Sequence, residues 1–233
     1  MPEQLALNID CMEYMKSIPD KAFDLAVVDP PYGDAGQDFK RSDKSRFGGN
    51  FDKYSKYINV ERESSNPDRR DVGGKVRKKI IAWDVAPGEE YFQELFRVSR
   101  QQIIWGGNYF SLPPTRCFIV WKKTNIPENF SMSMCEYAWA SFNDNAKVVE
   151  VSSQNQQGRF HPTQKPIALY DWIFSKYAEP GYRILDTHLG SGSSRIAAHK
   201  AGLDFVGCEI DPEYFEKQEK RYIEFTAQIS LFD

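Results

Sequence analysis

Short apolar runs alternate along this chain with longer stretches in which apolar side chains return every third or fourth position. The strand-like runs are Leu5–Ile9, Asp24–Val28, Gln102–Trp105, Cys117–Trp121, Tyr137–Ser141, Arg183–Leu185 and Phe205–Cys208. Helical periodicity holds over Glu89–Val98, Thr163–Ala178, Ser193–Ala201 and Pro212–Thr226. Strands that alternate with helices predict an α/β fold, a doubly wound and mostly parallel sheet with helices on both faces. The run Leu25-Ala26-Val27-Val28 has no polar face, as expected of a strand covered on both sides.

Residues 34–82 break this rhythm. They are rich in Gly, Ser, Asn, Asp and Lys, and only short pieces such as Tyr54–Val60 have the side chains to order alone. An irregular stretch of that length inside a compact domain is a functional loop or a disordered one. A chain of 233 residues is long enough for one well-buried core and short for two. Residues 1–233 therefore read as a single domain with a polar, basic insertion at about 34–82.

Composition adds charge asymmetry to this picture. The net charge is −3, yet residues 34–82 hold 13 Lys/Arg against 8 Asp/Glu, or +5, which leaves −8 on the rest. That fits a basic arm facing a polyanion on an acidic body, or else a solvated charged loop that touches nothing. No uncharged apolar run approaches the ~20 residues that span a bilayer. The opening Met-Pro-Glu-Gln lacks the basic and then apolar pattern of a secretory leader, so no membrane partner and a cytoplasmic location are expected. Cys11, Cys117, Cys135 and Cys208 form no C-x-x-C pair and read as reduced thiols. His188 and His199 lack metal-ligand spacing, so no metal site is expected.

Two strand ends carry candidate chemistry. Arg183-Ile184-Leu185-Asp186-Thr187-His188-Leu189-Gly190-Ser191-Gly192-Ser193 reads as a buried strand, an acid, a glycine turn and a helix start. Glycines at 190 and 192 let the backbone pass close under a ligand, and Ser193 or Ser194 can cap the helix. The next strand ends in Cys208-Glu209-Ile210-Asp211, where an acid can accept both hydroxyls of a ribose. Arg195 stands where a dinucleotide fingerprint has its third glycine, and Asp186 would repel a diphosphate but attract a cationic amino-acid group. The loop therefore suits an adenosine without phosphates, or is a structural turn. The other strand end, Asp29-Pro30-Pro31-Tyr32, offers a carboxylate, a free proline carbonyl and an aromatic plane within four residues. Read blandly, it is a rigid exit from a strand.

Together these segments carry a family resemblance. Asp29-Pro30-Pro31-Tyr32 resembles the catalytic motif of amino-group DNA methyltransferases, and Asp186 to Gly192 resembles their cofactor loop. His161-Pro162-Thr163-Gln164-Lys165-Pro166 is similar to the segment that opens their additional cofactor-binding helix. The order of motifs is that of the β group. Trp105-Gly106-Gly107-Asn108-Tyr109-Phe110 and Glu136-Tyr137-Ala138-Trp139-Ala140 are similar to blocks of its small members. The likeness covers most of the chain outside 34–82.

The resemblance implies a Rossmann-like methyltransferase sheet that uses S-adenosylmethionine. It implies a site-specific DNA methyltransferase acting on the N6 amine of a flipped-out adenine, since Asp at the first motif position goes mostly with adenine. Alternatives are an N4-cytosine enzyme, methylation of RNA or of a protein amide, and a non-catalytic DNA-binding subunit. Carried over residue by residue, the catalytic set is Asp29, Pro30, Pro31 and Tyr32. The cofactor contacts are Asp10, Cys11, Asp29, His161, Thr163, Lys165, Asp186, Leu189, Gly190, Ser191, Gly192, Glu209 and Ile210. Asp10 is also a candidate helix cap, Thr163 a candidate cap for the helix after it, and Lys165 a candidate partner for the cofactor's carboxylate.

The expected macromolecular partner is double-stranded DNA, in a bacterial or phage-encoded restriction–modification setting. Target recognition falls to residues 122–160, where Lys122, Lys123, Lys147 and Arg159 are candidate phosphate contacts, together with the insertion. Gln228-Ile229-Ser230-Leu231-Phe232 resembles the peptide by which bacterial enzymes bind the replication sliding clamp, or is a helix end tucked onto the body. A second copy of the chain is a further candidate partner.

Overall fold

Strand β2 (Phe23–Val28) shows how this sequence builds two layers around one sheet. Leu25 and Val27 enter one apolar cluster while Phe23, Ala26 and Val28 enter another. Neighbouring strands divide in the same way: Ile103 and Trp105 lie in the first cluster and Ile104 in the second, Ile184 in the first and Leu185 in the second. Successive side chains point to opposite faces, so the apolar run Leu25–Val28 needs cover on both.

The computed structural model describes residues 2–33, 85–128, 133–154, 159–161 and 163–229. Its strands are β1 (Gln4–Leu7), β2, β3 (Ser99–Trp105), β4 (Phe118–Lys123), β5 (Cys135–Ala140), β6 (Lys147–Val151), β7 (Arg183–Asp186) and β8 (Asp204–Cys208). Among the described residues they form one sheet in the order β1-β8-β7-β2-β3-β5-β4-β6. Every pairing is parallel except the two made by β5, which runs against both β3 and β4. The start of β5 therefore lies at the edge where its neighbours end. This is the mostly parallel, doubly wound α/β sheet expected from the sequence.

The helices are α1 (Cys11–Ser17), α2 (Glu89–Val98), α3 (Ile167–Tyr177), α4 (Ser193–Lys200) and α5 (Pro212–Ile229). Helix α2 buries Tyr91, Phe92, Leu95 and Val98, one face at helical spacing. Its Arg97 donates to the carbonyls of Met15 and Ile18 and ties down the end of α1. Leu169, Ile173 and Phe174 of α3 join Ala197 and Ala198 of α4 in the other layer. Helix α3 starts four residues later than its apolar pattern suggests. Pro166 is its extended N-terminal boundary, with no side-chain cap, and a residue before proline is biased away from helix. Thr163 is therefore not the cap expected of it.

Strand β6 has no counterpart in the sequence reading. It lies at the sheet edge with Val148 exposed and only Val149 buried, so its apolar pattern has no clean period of two.

The chain divides into two compact units, Met1–Pro30 with Pro87–Asp233, and Pro31–Ala86. The insertion expected at 34–82 lies outside the described residues, as do 129–132 and 155–158 of the expected recognition region and 230–232 of the clamp-like peptide. No described helix is long and apolar enough to cross a membrane.

Candidate active site

β2 and β7 are parallel neighbours, with Leu25 opposite Ile184 and Ala26 opposite Leu185. From β2 the chain moves outward through α2 to β3; from β7 it moves the other way through α4 to β8. The sheet order thus reverses between them, and the crevice outside the carboxyl ends at such a point is where open α/β sheets bind ligands. Asp29 follows β2 there and Asp186 closes β7.

Asp186 is buried. One oxygen accepts the N–H of His188 at 3.0 Å and the other accepts the hydroxyl of Ser194 at 2.5 Å. Burial pushes its carboxyl up to about 7, the two hydrogen bonds offset part of that, and the negative charges of Asp29 and Glu209 add to it. A cation placed beside it would relieve this cost. Gly192, at φ +73°, is the N-cap of α4 without a side-chain bond, so neither Ser193 nor Ser194 caps the helix as expected. Ser194 is turned back onto Asp186 instead.

The loop is braced from three directions. Glu209, at the end of β8, accepts the N–H of Gly190 at 2.8 Å through one oxygen and that of Asp211 at 2.9 Å through the other. The backbone N–H of Ile210 adds a third bond to this carboxylate, and the three together offset part of the rise in its pKa that burial causes. Arg221 of α5 donates to the carbonyl of Ser191 at 2.8 Å and the hydroxyl of Ser193 at 3.0 Å. Leu189 donates its N–H to Cys208, and a Cβ at Gly207 would come within 3.0 Å of its methyls. Leu189 thus packs into the body, as its 4% exposure indicates. Ile210 stands exposed beside Glu209.

His161 comes to the loop from ahead of α3. Its ring lies where a Cβ on Gly190, at φ +53°, would meet it at 3.5 Å, and it stands edge-on to Tyr214 with centroids 4.4 Å apart. Burial, reinforced by the charge of Lys165, lowers it to about 4, so the imidazole is neutral near pH 7. Exposed Thr163 sits beside its Nδ1 at 3.2 Å. Asp10 accepts the N–H of Met12 at 2.7 Å as the N-cap of α1. Asn8 donates to the carbonyls of Glu209 and Ile210, which brings the ends of β1 and β8 together. Cys11 follows the cap with its thiol pushed up to about 12 by burial and by the charge of Asp10.

Lys165, expected as a partner for the cofactor's carboxylate, is engaged by side chains of the protein. Its ammonium is buried and bonded to Asp29 Oδ2, with Glu136 Oε2 at 3.3 Å and the ring of Trp105 5.2 Å away. Burial opposes its charge, but Asp29 and Glu136 more than offset that and raise its pKa. Lys123, at the end of β4, holds the other oxygen of Glu136 at 2.7 Å. The two lysines in turn keep the Glu136 carboxyl below its usual range against the opposing effect of burial.

Several residues here had no role in the sequence reading. Glu136 was legible only as part of a family block, although an acid opening an apolar strand is itself a signal. Tyr91 bonds Thr187 at 2.6 Å and Thr187 bonds His188 at 2.9 Å, a neutral chain beside Asp186, with His188 held at about 4 by burial. Lys122, Lys123 and Lys147, expected as phosphate contacts, each form an ion pair, with Glu150, Glu136 and Asp144. Arg159 is exposed. Among the described residues no group of acids, histidines and cysteines is arranged to hold a metal ion.

Pro30 ends the first unit; Pro31 and Tyr32 open the second. Within that second unit Gly33 has φ +59°, and a Cβ there would lie 2.8 Å from the backbone nitrogen of Ala86. Only glycine fits immediately after the tyrosine.

Known proteins resemble this chain along most of its length. The family model described as DNA methylase, N6_N4_Mtase, matches residues 63–220. The type II methyltransferase M2.MboI of Moraxella bovis is 26% identical across 93% of this chain and 86% of its own length. Among solved structures, the M1.HpyAVI–SAM complex is 19% identical, covers 94% of this chain and 98% of its own, and superposes with a TM-score of 0.52. The PvuII DNA methyltransferase, described as cytosine-N4-specific, is 12% identical over 93% of this chain and 85% of its own, with a TM-score of 0.58.

Proposed function

The chain belongs to the N6/N4 DNA methylase family, and from that premise we propose that it is an S-adenosylmethionine-dependent methyltransferase for the N6 amine of adenine in double-stranded DNA. The observation that carries this reading is the adjacency of Asp29 and Asp186, two acids at the ends of neighbouring parallel strands where the sheet order reverses.

The residues around the loop fit a cofactor made of an amino acid joined to an adenosine. Asp186 would hold the α-ammonium, which relieves the cost of its buried charge. Glu209 would accept the ribose hydroxyls, beside exposed Ile210 and the Asp10 turn. His161 is a neutral surface over Gly190. When bound, S-adenosylmethionine supplies an electrophilic sulfonium methyl group.

At the other strand end, the target base stacks on Tyr32 after leaving the duplex. Its amine donates one hydrogen bond to Asp29 and one to the carbonyl of Pro30. Both N–H groups held in this way favour a tetrahedral nitrogen whose lone pair is less committed to the ring. The nitrogen so held would take up the methyl group that the cofactor supplies when bound, and the proton of the resulting cationic amine would pass to Asp29 or to water. Positioning supplies most of the rate.

Adenine rests on Asp29 at the first motif position. Labelled S-adenosylmethionine with unmethylated duplex DNA, followed by mass spectrometry of the nucleosides, tests it. N6-methylated deoxyadenosine is expected, and N4-methylated deoxycytidine would overturn the choice of base. The insertion at 34–82 contributes DNA contacts, so its deletion weakens DNA binding more than cofactor binding; unchanged DNA affinity would contradict this.

A further inference from the structure

We propose that Lys165 is a positioning residue for Asp29, held in place by Glu136, and not a ligand for the cofactor's carboxylate; this rests on the reading of Asp29 as the acceptor for the target amine. An ammonium has three N–H bonds. Around Lys165 they are matched by Asp29 Oδ2, by Glu136 Oε2 at 3.3 Å and by the face of Trp105 at 5.2 Å. A side chain so enclosed has no donor to spare for a further anion.

Four charges alternate through this cluster: Asp29, Lys165, Glu136 and Lys123. They come from four separate segments, the end of β2, the approach to α3, the start of β5 and the end of β4. The antiparallel course of β5 is what brings Glu136 to this edge. Two cations balance two anions, so the cluster avoids the cost of an uncompensated buried charge. Buried ion pairs add little net stability compared with apolar packing, so stability is a weak reason for building one here. What the cluster does is fix a carboxylate plane. With Oδ2 held, Asp29 cannot rotate freely, and its orientation toward the amine is set before the base arrives.

Lys165→Met and Lys165→Arg test this, with affinity for S-adenosylmethionine measured by calorimetry and single-turnover methyl transfer measured at saturating cofactor and DNA. Lys165→Met is expected to slow transfer about 100-fold while cofactor affinity is little changed. Lys165→Arg is expected to regain part of the rate, because a guanidinium can still hold a carboxylate. Cofactor affinity about tenfold weaker with a wild-type rate at saturation would overturn the proposal, as would wild-type values for both. Lys165→Met leaves two carboxylates together, so Lys165→Met/Glu136→Gln, which restores charge balance, is measured beside it. A folded double variant with the wild-type rate would also overturn the proposal. Asp29→Asn separates this failure from that of the premise. If it is inactive beside an unimpaired Lys165→Met, the proposal alone fails; if it turns over at full rate, the premise fails and the proposal with it.

Discussion

The carboxylate of Glu209 accepts the backbone N–H of Gly190 at 2.8 Å, so the end of β8 holds the glycine turn that follows β7. Its second oxygen does the same for Asp211 at 2.9 Å, next to the start of α5. One side chain thus fixes two backbone segments around the crevice.

Glu209→Gln keeps the shape but replaces one acceptor with a donor facing a backbone N–H. Cofactor affinity should fall by about tenfold or more, the cost of an unmade buried hydrogen bond. Calorimetric titration with S-adenosylmethionine checks this; undiminished affinity would remove Glu209 from the ribose site.

Asp186 links cofactor binding to pH. Its carboxyl titrates at about 7 in the folded chain against an ordinary value of 3.8. The fold therefore favours the protonated form. That advantage is complete below about pH 4 and is lost as pH rises through about 7, at a cost on the order of 4 kcal/mol. Without cofactor, Asp186→Asn should melt higher than the wild type at pH 8, with the gap closing toward pH 5. It should gain little from added cofactor. A variant less stable than wild type at both pH values would contradict the origin given for this shift.

Gly33→Ala forces a side chain into a left-handed conformation and within 2.8 Å of a backbone nitrogen. The backbone term alone is about 1–2 kcal/mol. Because Tyr32 precedes it directly, methyl transfer should fall by more than cofactor affinity does. Equal losses in a transfer assay and a cofactor titration would tie Gly33 to general stability instead.

Arg195 shows a structural role beside the site. Its guanidinium bonds Glu219 at 2.6 Å and the carbonyl of Gln4 at 2.9 Å, and stacks 3.8 Å from the ring of Tyr222. Arg195→Met should lower stability by about 1–2 kcal/mol, because Glu219 is partly exposed while the bond to the carbonyl of Gln4 is lost. Denaturant titration measures that loss, and cofactor affinity at low temperature should stay near wild type.

Much of this was legible in the sequence because the core obeys simple periods. β2 carries the apolar run Leu25-Ala26-Val27-Val28, β7 sets Ile184-Leu185 between two charges, and α2 repeats at helical spacing. The glycine turn and Asp29-Pro30-Pro31-Tyr32 sit at strand ends that any parallel sheet would bring to one edge. What the sequence hides is pairing. Nothing local says that Lys165 bonds Asp29, 136 residues away, or that Glu136 lies between two lysines. The contacts of Glu136 depend on the reversed course of β5. Likewise Ser194 looks like a helix cap, yet a buried carboxylate nearby competes for its hydroxyl.

The division of labour between the two strand ends is tested most directly by methyl transfer and cofactor binding measured together on Asp29→Ala. Transfer to DNA from labelled S-adenosylmethionine should be abolished while the calorimetric affinity for the cofactor largely survives. Substantial transfer by the variant would contradict the account, because the amine would then be held and activated without the carboxylate at the end of β2.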